Sequence, residues 1–88
     1  MPFYCYMLEC VDGSYYTGWT TDPVRRERQH NRGQGSRYTA THRPVHLVYI
    51  EPQPDRTTAM RRERTIKRLS HAHKKALALS HQNSQENQ

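Results

Sequence analysis

Long hydrophobic runs are missing from this 88-residue sequence, and only 33% of its residues are hydrophobic. No stretch approaches the roughly 20 apolar residues of a membrane-spanning helix. A chain this short and polar makes one domain with a thin core. The first residues lack a basic segment, and Glu9 and Asp12 fall where a secretory signal needs apolar length. Cysteine is scarce as well. Cys5 and Cys10 have no metal-ligand spacing, and five residues apart on one strand they are too distant to bridge. Two reduced thiols point to a reducing compartment, and the expected location is cytoplasmic.

Acidic residues are also few, eight against fourteen lysines and arginines, for a net charge of +6. Arginine outnumbers lysine eleven to three. Guanidinium is planar and takes phosphate oxygens in pairs, so this bias suits a polyphosphate partner. The segment from Arg56 to Lys75 holds eight basic residues and a single acid, Glu63. Such a stripe is either a solvated helix face or the footprint of nucleic-acid binding. Residues 80–88 carry no aliphatic side chain, which predicts a disordered polar tail after a domain spanning 1–79.

What is present orders itself as ββαβαα. Phe3 to Cys10 is apolar and aromatic almost throughout, as in a strand covered on both faces. Val11-Asp12-Gly13 turns into a second strand, Tyr15 to Trp19. Asp22 is a good N-cap, Pro23 fits the first helical position, and Gly33 is a natural stop, giving a helix over Pro23 to Arg32. Val24 is its only aliphatic residue, so something other than burial selects its side chains. A loop over Arg32–Arg43 follows, then a strand from Val45 to Ile50 and a linker over Glu51–Asp55. Asp55 or Thr57 caps a second helix to about Leu69, and a third, short helix ends near Leu79. The fold class is α/β (α+β), a small sheet with helices packed on it.

Hairpin register decides which side chains meet. A two-residue Asp-Gly loop places Tyr6 and Tyr16 on opposite faces. A three-residue loop with Gly13 left-handed pairs Cys10 with Ser14 and Tyr6 with Gly18, and both phenols then share a face. The sequence permits either. Arg26 and His30, four apart, share a helix face away from Val24. On the next helix, with Ala59 at zero, Ile66 falls at about 340°, Leu69 at about 280° and Glu63 at about 40°. Glu63 therefore borders the apolar stripe, where a carboxylate needs a partner: a basic side chain or a divalent cation. His71 and His73 sit two apart, and on a helix their rings point away from each other. Gly33 and Gly35 resemble a phosphate loop only superficially.

Together these residues resemble the GIY-YIG nuclease superfamily. The likeness runs from about Tyr4 to Leu79 and is strongest to its small stand-alone bacterial members. It rests on Tyr4, Tyr6 and Leu8, on Asp12 to Gly18 (DGSYYTG), and on Arg25 to Asn31 (RRERQHN). Arg43 to Tyr49 (RPVHLVY) and Ala59 to Leu69 (AMRRERTIKRL) complete the set. The chain departs from the name at Tyr4-Cys5-Tyr6, where tyrosine stands in place of glycine, as in the stand-alone subgroup.

The resemblance implies a three-stranded antiparallel sheet flanked by helices and a divalent-metal-dependent endonuclease acting on DNA in repair or processing. RNA remains an alternative substrate. Tyr6, Tyr16, Arg26, His30 and Glu63 are then the catalytic candidates. Glu63 would hold one Mg²⁺ or Mn²⁺, and Arg26 the non-bridging oxygens. Tyr6 would orient or deprotonate the water, Tyr16 would position water or phosphate, and His30 would relay the proton. Arg25, Arg37, Arg43, Arg62 and Lys67 are candidate contacts to the nucleic-acid backbone, and a monomer is favoured. The competing readings are a binding module with the same fold that does not cut, and an accessory subunit whose basic face meets an acidic protein.

Overall fold

The computed structural model describes residues 2–86. Strands β1 (Phe3–Glu9), β2 (Tyr15–Thr20) and β3 (His46–Gln53) form one sheet in the order β2-β1-β3, with both pairs antiparallel. The most apolar segment is thus the central strand, and Cys5, Tyr6, Met7 and Leu8 are all buried. Helices α1 (Pro23–Asn31) and α2 (Arg37–Ala40) precede β3, and α3 (Arg56–Lys67) and α4 (His71–Glu86) follow it.

The hairpin takes the three-residue loop. Gly13 has φ 85°, its N–H donates to the Cys10 carbonyl, and the Cys10 N–H donates to the Ser14 carbonyl. Asp12 fixes the turn by accepting from both the backbone N–H and the hydroxyl of Ser14. Tyr6 consequently pairs with Gly18 and Leu8 with Tyr16, which puts the two phenols on one face.

Alternation then divides the sheet into two unlike sides. Cys5 and Met7 pack with Ala59 and Ile66 of α3 and Ala78 of α4. Tyr6 and Leu8 face the other way, with Cys10, Val45, Tyr16 and Leu47. An irregularity in the β1–β3 pairing between Met7 and Leu8 lets Val48 and Tyr49 both serve the α3/α4 side while Leu47 serves the other.

Asp22 and Asp55 cap α1 and α3, accepting from the N–H groups of Arg25 and Thr58. Three expectations need correction. The 32–43 loop contains the one-turn helix α2, because the Ser36 side chain accepts from the Thr39 N–H and nucleates it. Strand β3 continues through Pro52 to Gln53 rather than giving way to a linker at Glu51. It is an edge strand, where a missing N–H is tolerated. Helix α4 does not stop near Leu79 but runs to Glu86. Polar residues propagate a helix once it is nucleated, and His81 meets Tyr49 edge-on with ring centroids 5.6 Å apart. The last two residues of the expected tail lie outside the described residues.

Candidate active site

Gly18 opens the site. A Cβ there would sit 2.5 Å from the Tyr6 hydroxyl, so only glycine lets the phenol lie across β2. Tyr16 flanks it with ring centroids 6.5 Å apart. From α1 comes His30, which is fully buried although the rest of that helix is largely exposed. Its Nε2 lies 2.9 Å from the Tyr6 hydroxyl and its Nδ1 lies 2.6 Å from Thr39 Oγ1. Thr39, buried in α2, continues to the Ser36 hydroxyl at 2.9 Å. Tyr6, His30, Thr39 and Ser36 therefore form one hydrogen-bonded chain through the protein.

Electrostatics fix the resting state of that chain. Burial, and then the positive charge of Arg26, pull His30 down to about 4. The imidazole is neutral at physiological pH, with one nitrogen donating and the other accepting. Burial pushes the Tyr6 phenol up to about 12; Tyr16 and Glu63 add to the rise and Arg26 opposes it. At rest Tyr6 is a phenol and not a phenolate.

Arg26 is aimed by two carbonyl oxygens: it donates to Gln29 Oε1 at 2.9 Å and to the Gly35 backbone at 3.3 Å. Gly35 can approach because it lacks a Cβ, which would overlap the His30 ring. Gly33, at φ 80°, ends α1. The two glycines thus stop a helix, as expected of Gly33, and accommodate a buried imidazole. Helix α1 is itself anchored to β3, since Asn31 bonds both backbone groups of Val45 and Glu27 accepts from the Leu47 N–H.

Tyr6, Tyr16, Gly18, Trp19, Arg26 and Glu63 line one cavity of about 270 Å³ at the outer strand β2. His30 is not among its walls but bonds the Tyr6 hydroxyl. Lys67 Nζ lies 2.8 Å from Glu63 Oε1, an i,i+4 pair whose lysine is half-exposed. Such a pair contributes only about 0.3–0.5 kcal/mol and leaves the carboxylate available.

Among the described residues no group of three or more His, Cys, Asp and Glu converges as a metal cage. One carboxylate in a cavity with room for further oxygen ligands fits a hard divalent ion of the kind that keeps several waters and takes few protein ligands. His71 and His73 go separate ways, to the Gly13 carbonyl and the Ser70 hydroxyl.

The expected backbone contacts scatter. Arg25 is exposed beside Arg26, and Arg37 is exposed at the start of α2. Arg43 donates to the carbonyls of Ala40 and Asn31. Arg62 grips Glu51 with two bonds, at 2.7 and 3.2 Å, and Lys67 holds Glu63. Sequence reasoning missed Thr39, Ser36 and Gly35. The signal available for them was the Gly-x-Gly-Ser run, a helix stop followed by a new cap. Among the described residues no helix is long and apolar enough to cross a membrane.

The model of the GIY-YIG catalytic domain matches residues 2–76. A UPF0213 protein of Halobacterium salinarum is 51% identical over 72 residues, covering 82% of this chain and 94% of its own. One from Streptococcus agalactiae is 42% identical over 85 residues, 97% of each. The solution structure of a UPF0213 protein of Bacillus halodurans matches with a TM-score of 0.54 at 45% identity, covering 88% of this chain and 82% of that one. A solution structure from E. faecalis gives 0.57 at 38%, covering 84% and 79%. With its Tyr6–Gly18 crossing, its Arg26 and its Glu63 in the matched span, this chain belongs to the GIY-YIG nuclease family, among the small UPF0213 proteins.

Proposed function

We propose that the protein is a divalent-metal-dependent nuclease that hydrolyses phosphodiester bonds in DNA, working as a cytoplasmic monomer in DNA processing or repair. The observation that carries this reading is one cavity lined by two phenols, a guanidinium and a carboxylate. A binding surface needs cations. It has no need of a carboxylate facing the phosphate or of a buried phenol joined to a neutral imidazole.

Each side chain has work that its surroundings favour. Arg26, held by Gln29 and Gly35, is preorganised to bind non-bridging oxygens as charge gathers on them. Tyr6 orients the attacking water through its hydroxyl oxygen and can hand its own proton to His30 Nε2, 2.9 Å away, as it takes one from the water. His30 rests neutral and offers Nε2 a free lone pair, but burial and Arg26 oppose its cation, so the proton is held only transiently. Thr39 holds its other nitrogen, and with the Thr39 hydroxyl donating to the Ser36 carbonyl it accepts from Nδ1 and leaves Nε2 to accept from Tyr6. Tyr16, beside Tyr6, positions water or phosphate. Held by Glu63, Mg²⁺ or Mn²⁺ would supply positive charge to the phosphate and the leaving oxygen.

Glu63→Gln tests the reading, because it preserves shape and removes the ligand charge. Labelled single-stranded, duplex and branched DNA would be incubated with each protein and Mg²⁺ or Mn²⁺. Cutting should vanish in the variant, while binding in chelator should hold or tighten as a repulsive charge leaves the phosphate. A variant that cuts at the wild-type rate would remove Glu63 from the chemistry. A wild-type protein that binds every form and cuts none would be a binding module.

A further inference from the structure

A second, larger cavity of about 590 Å³ adjoins the first and shares Trp19 and Arg26 with it. Its other walls include Phe3 of β1, Arg25 and Gln29 of α1, and Arg56 of α3. The Phe3 and Trp19 rings stand side by side, centroids 6.2 Å apart and tilted 46°. Both are only partly buried. Arg56 lies over Trp19 with its Cζ 5.4 Å from the ring centroid. The guanidinium keeps its edge donors while covering an aromatic face. Among the described residues no carboxylate pairs with Arg25 or Arg56. Asp22, the acid in these walls, is engaged as the α1 cap.

Flat aromatic and cationic surfaces, an amide at one side and unpaired guanidiniums make a matched set for one ligand chemistry. A nucleotide has an apolar base face, polar base edges and an attached phosphate. The volume falls in the ordinary range of small-ligand clefts, about 300–1,000 Å³. Duplex DNA cannot use such a cleft without distortion, because stacking neighbours cover both faces of each paired base.

Resting on the nuclease reading of the adjoining cavity, we propose that this cleft binds the nucleotide next to the scissile phosphate with its base unpaired. The base stacks on the outer face of the Arg56 guanidinium, which itself covers Trp19, and its phosphate lies between Arg25 and Arg56. The substrate class is therefore a single strand or a splayed end, and the shared chemistry admits DNA or RNA.

Trp19 is the only tryptophan of the chain and reports on its own cleft. In chelator, six-residue oligodeoxyuridylate and oligouridylate should each quench its emission saturably, and the tighter of the two identifies the preferred sugar. A blunt, GC-rich duplex long enough to stay fully paired should not quench. The double variant Arg25→Gln, Arg56→Gln should bind the single strand about ten-fold more weakly, with a log–log salt slope shallower by about 1.4. Trp19→Leu, followed by anisotropy of a labelled strand, should lose about ten-fold; if it does not fold, the arginine variant carries the test.

Equal quenching by duplex, or binding without quenching, would overturn the proposal. Metal-dependent cutting of single strands with an unquenched Trp19 would overturn the cleft and spare the nuclease. Saturable quenching with no cutting in any divalent ion would support the cleft and overturn the nuclease.

Discussion

The two sides of the sheet solve different problems with the same strand. Facing α3 and α4, Cys5 and Met7 of β1 meet Ala59, Ile66 and Ala78, a conventional apolar contact. Facing α1 and α2, Tyr6 of the same strand meets His30 and then Thr39, buried groups that each need a stated partner. Apolar burial is non-directional and tolerates adjustment. A hydrogen-bonded chain is directional, and a lost member leaves its neighbour unsatisfied. Stability should therefore reside mainly on one side of the sheet and orientation on the other.

A crossed pair of substitutions would break that division most sharply. Arg26→Ala on the polar side should lower cutting by about 10²–10³-fold, the range for removing a preorganised donor to a developing oxyanion. It should cost about 1–3 kcal/mol of stability, since what it gives up is two partly buried hydrogen bonds. Ile66→Ala on the apolar side should cost about 2–5 kcal/mol. The molecules that remain folded should cut at the normal rate. Denaturant midpoints and single-turnover rates on both variants check the crossing. An Arg26→Ala protein that unfolds would mean that α1 is held by its catalytic side chain.

Acid gives a second handle on the polar side. The folded value of His30, about 4, lies below that of free imidazole at 6.5, so the unfolded chain takes up a proton first as pH falls. The neutral histidine's contribution is fully present above about pH 6.5 and is lost progressively down to about pH 4. One proton gives a slope of at most about 1.4 kcal/mol per pH unit. The lowered carboxylates Asp12, Asp55 and Glu51 have ordinary values of 3.8 to 4.5, so their contributions overlap the lower end of that window and His30 dominates the slope only from about pH 6.5 to about pH 5. Urea midpoints between pH 7 and 4 should fall for the wild type and stay flatter for His30→Gln. Parallel slopes would mean that His30 is not held neutral.

Local chemistry explains which parts of this were legible in the sequence. Strand β1 announced itself because both faces are covered, and α1 and α3 because Asp22 and Asp55 are caps. The hairpin admitted two registers, since a turn residue does not reveal how many neighbours share its loop; the cross-strand pairing of Tyr6 with Gly18 selects one. Helix α2 was hidden because a single turn has no hydrophobic period, and the length of α4 because it is polar where it extends. Thr39 reaches His30 from nine residues away with no intervening pattern, so nothing local advertised the contact. The cleft beside Trp19 was equally silent, as Phe3, Arg25 and Arg56 reach it from three different elements.

The smallest effect concerns a buried hydroxyl on the apolar side. Thr17 pairs with Met7 and so faces the apolar side, 2% exposed, and its hydroxyl has no partner among the described residues. A buried hydroxyl without a hydrogen bond costs about 1–3 kcal/mol, while a methyl of the same shape costs nothing there. Valine is nearly isosteric and favours strands. Thr17→Val should therefore raise stability by about 1 kcal/mol, read as a shift of the urea midpoint at unchanged slope. Its neighbours Tyr16 and Gly18 line the active cavity, so cutting by the variant decides what the hydroxyl is for. Unchanged cutting in a more stable protein would make the threonine incidental and the two-sided account complete. A more stable protein that cuts slowly would show that the polar machinery reaches through the sheet, with stability given up on the apolar side to serve the site on the other.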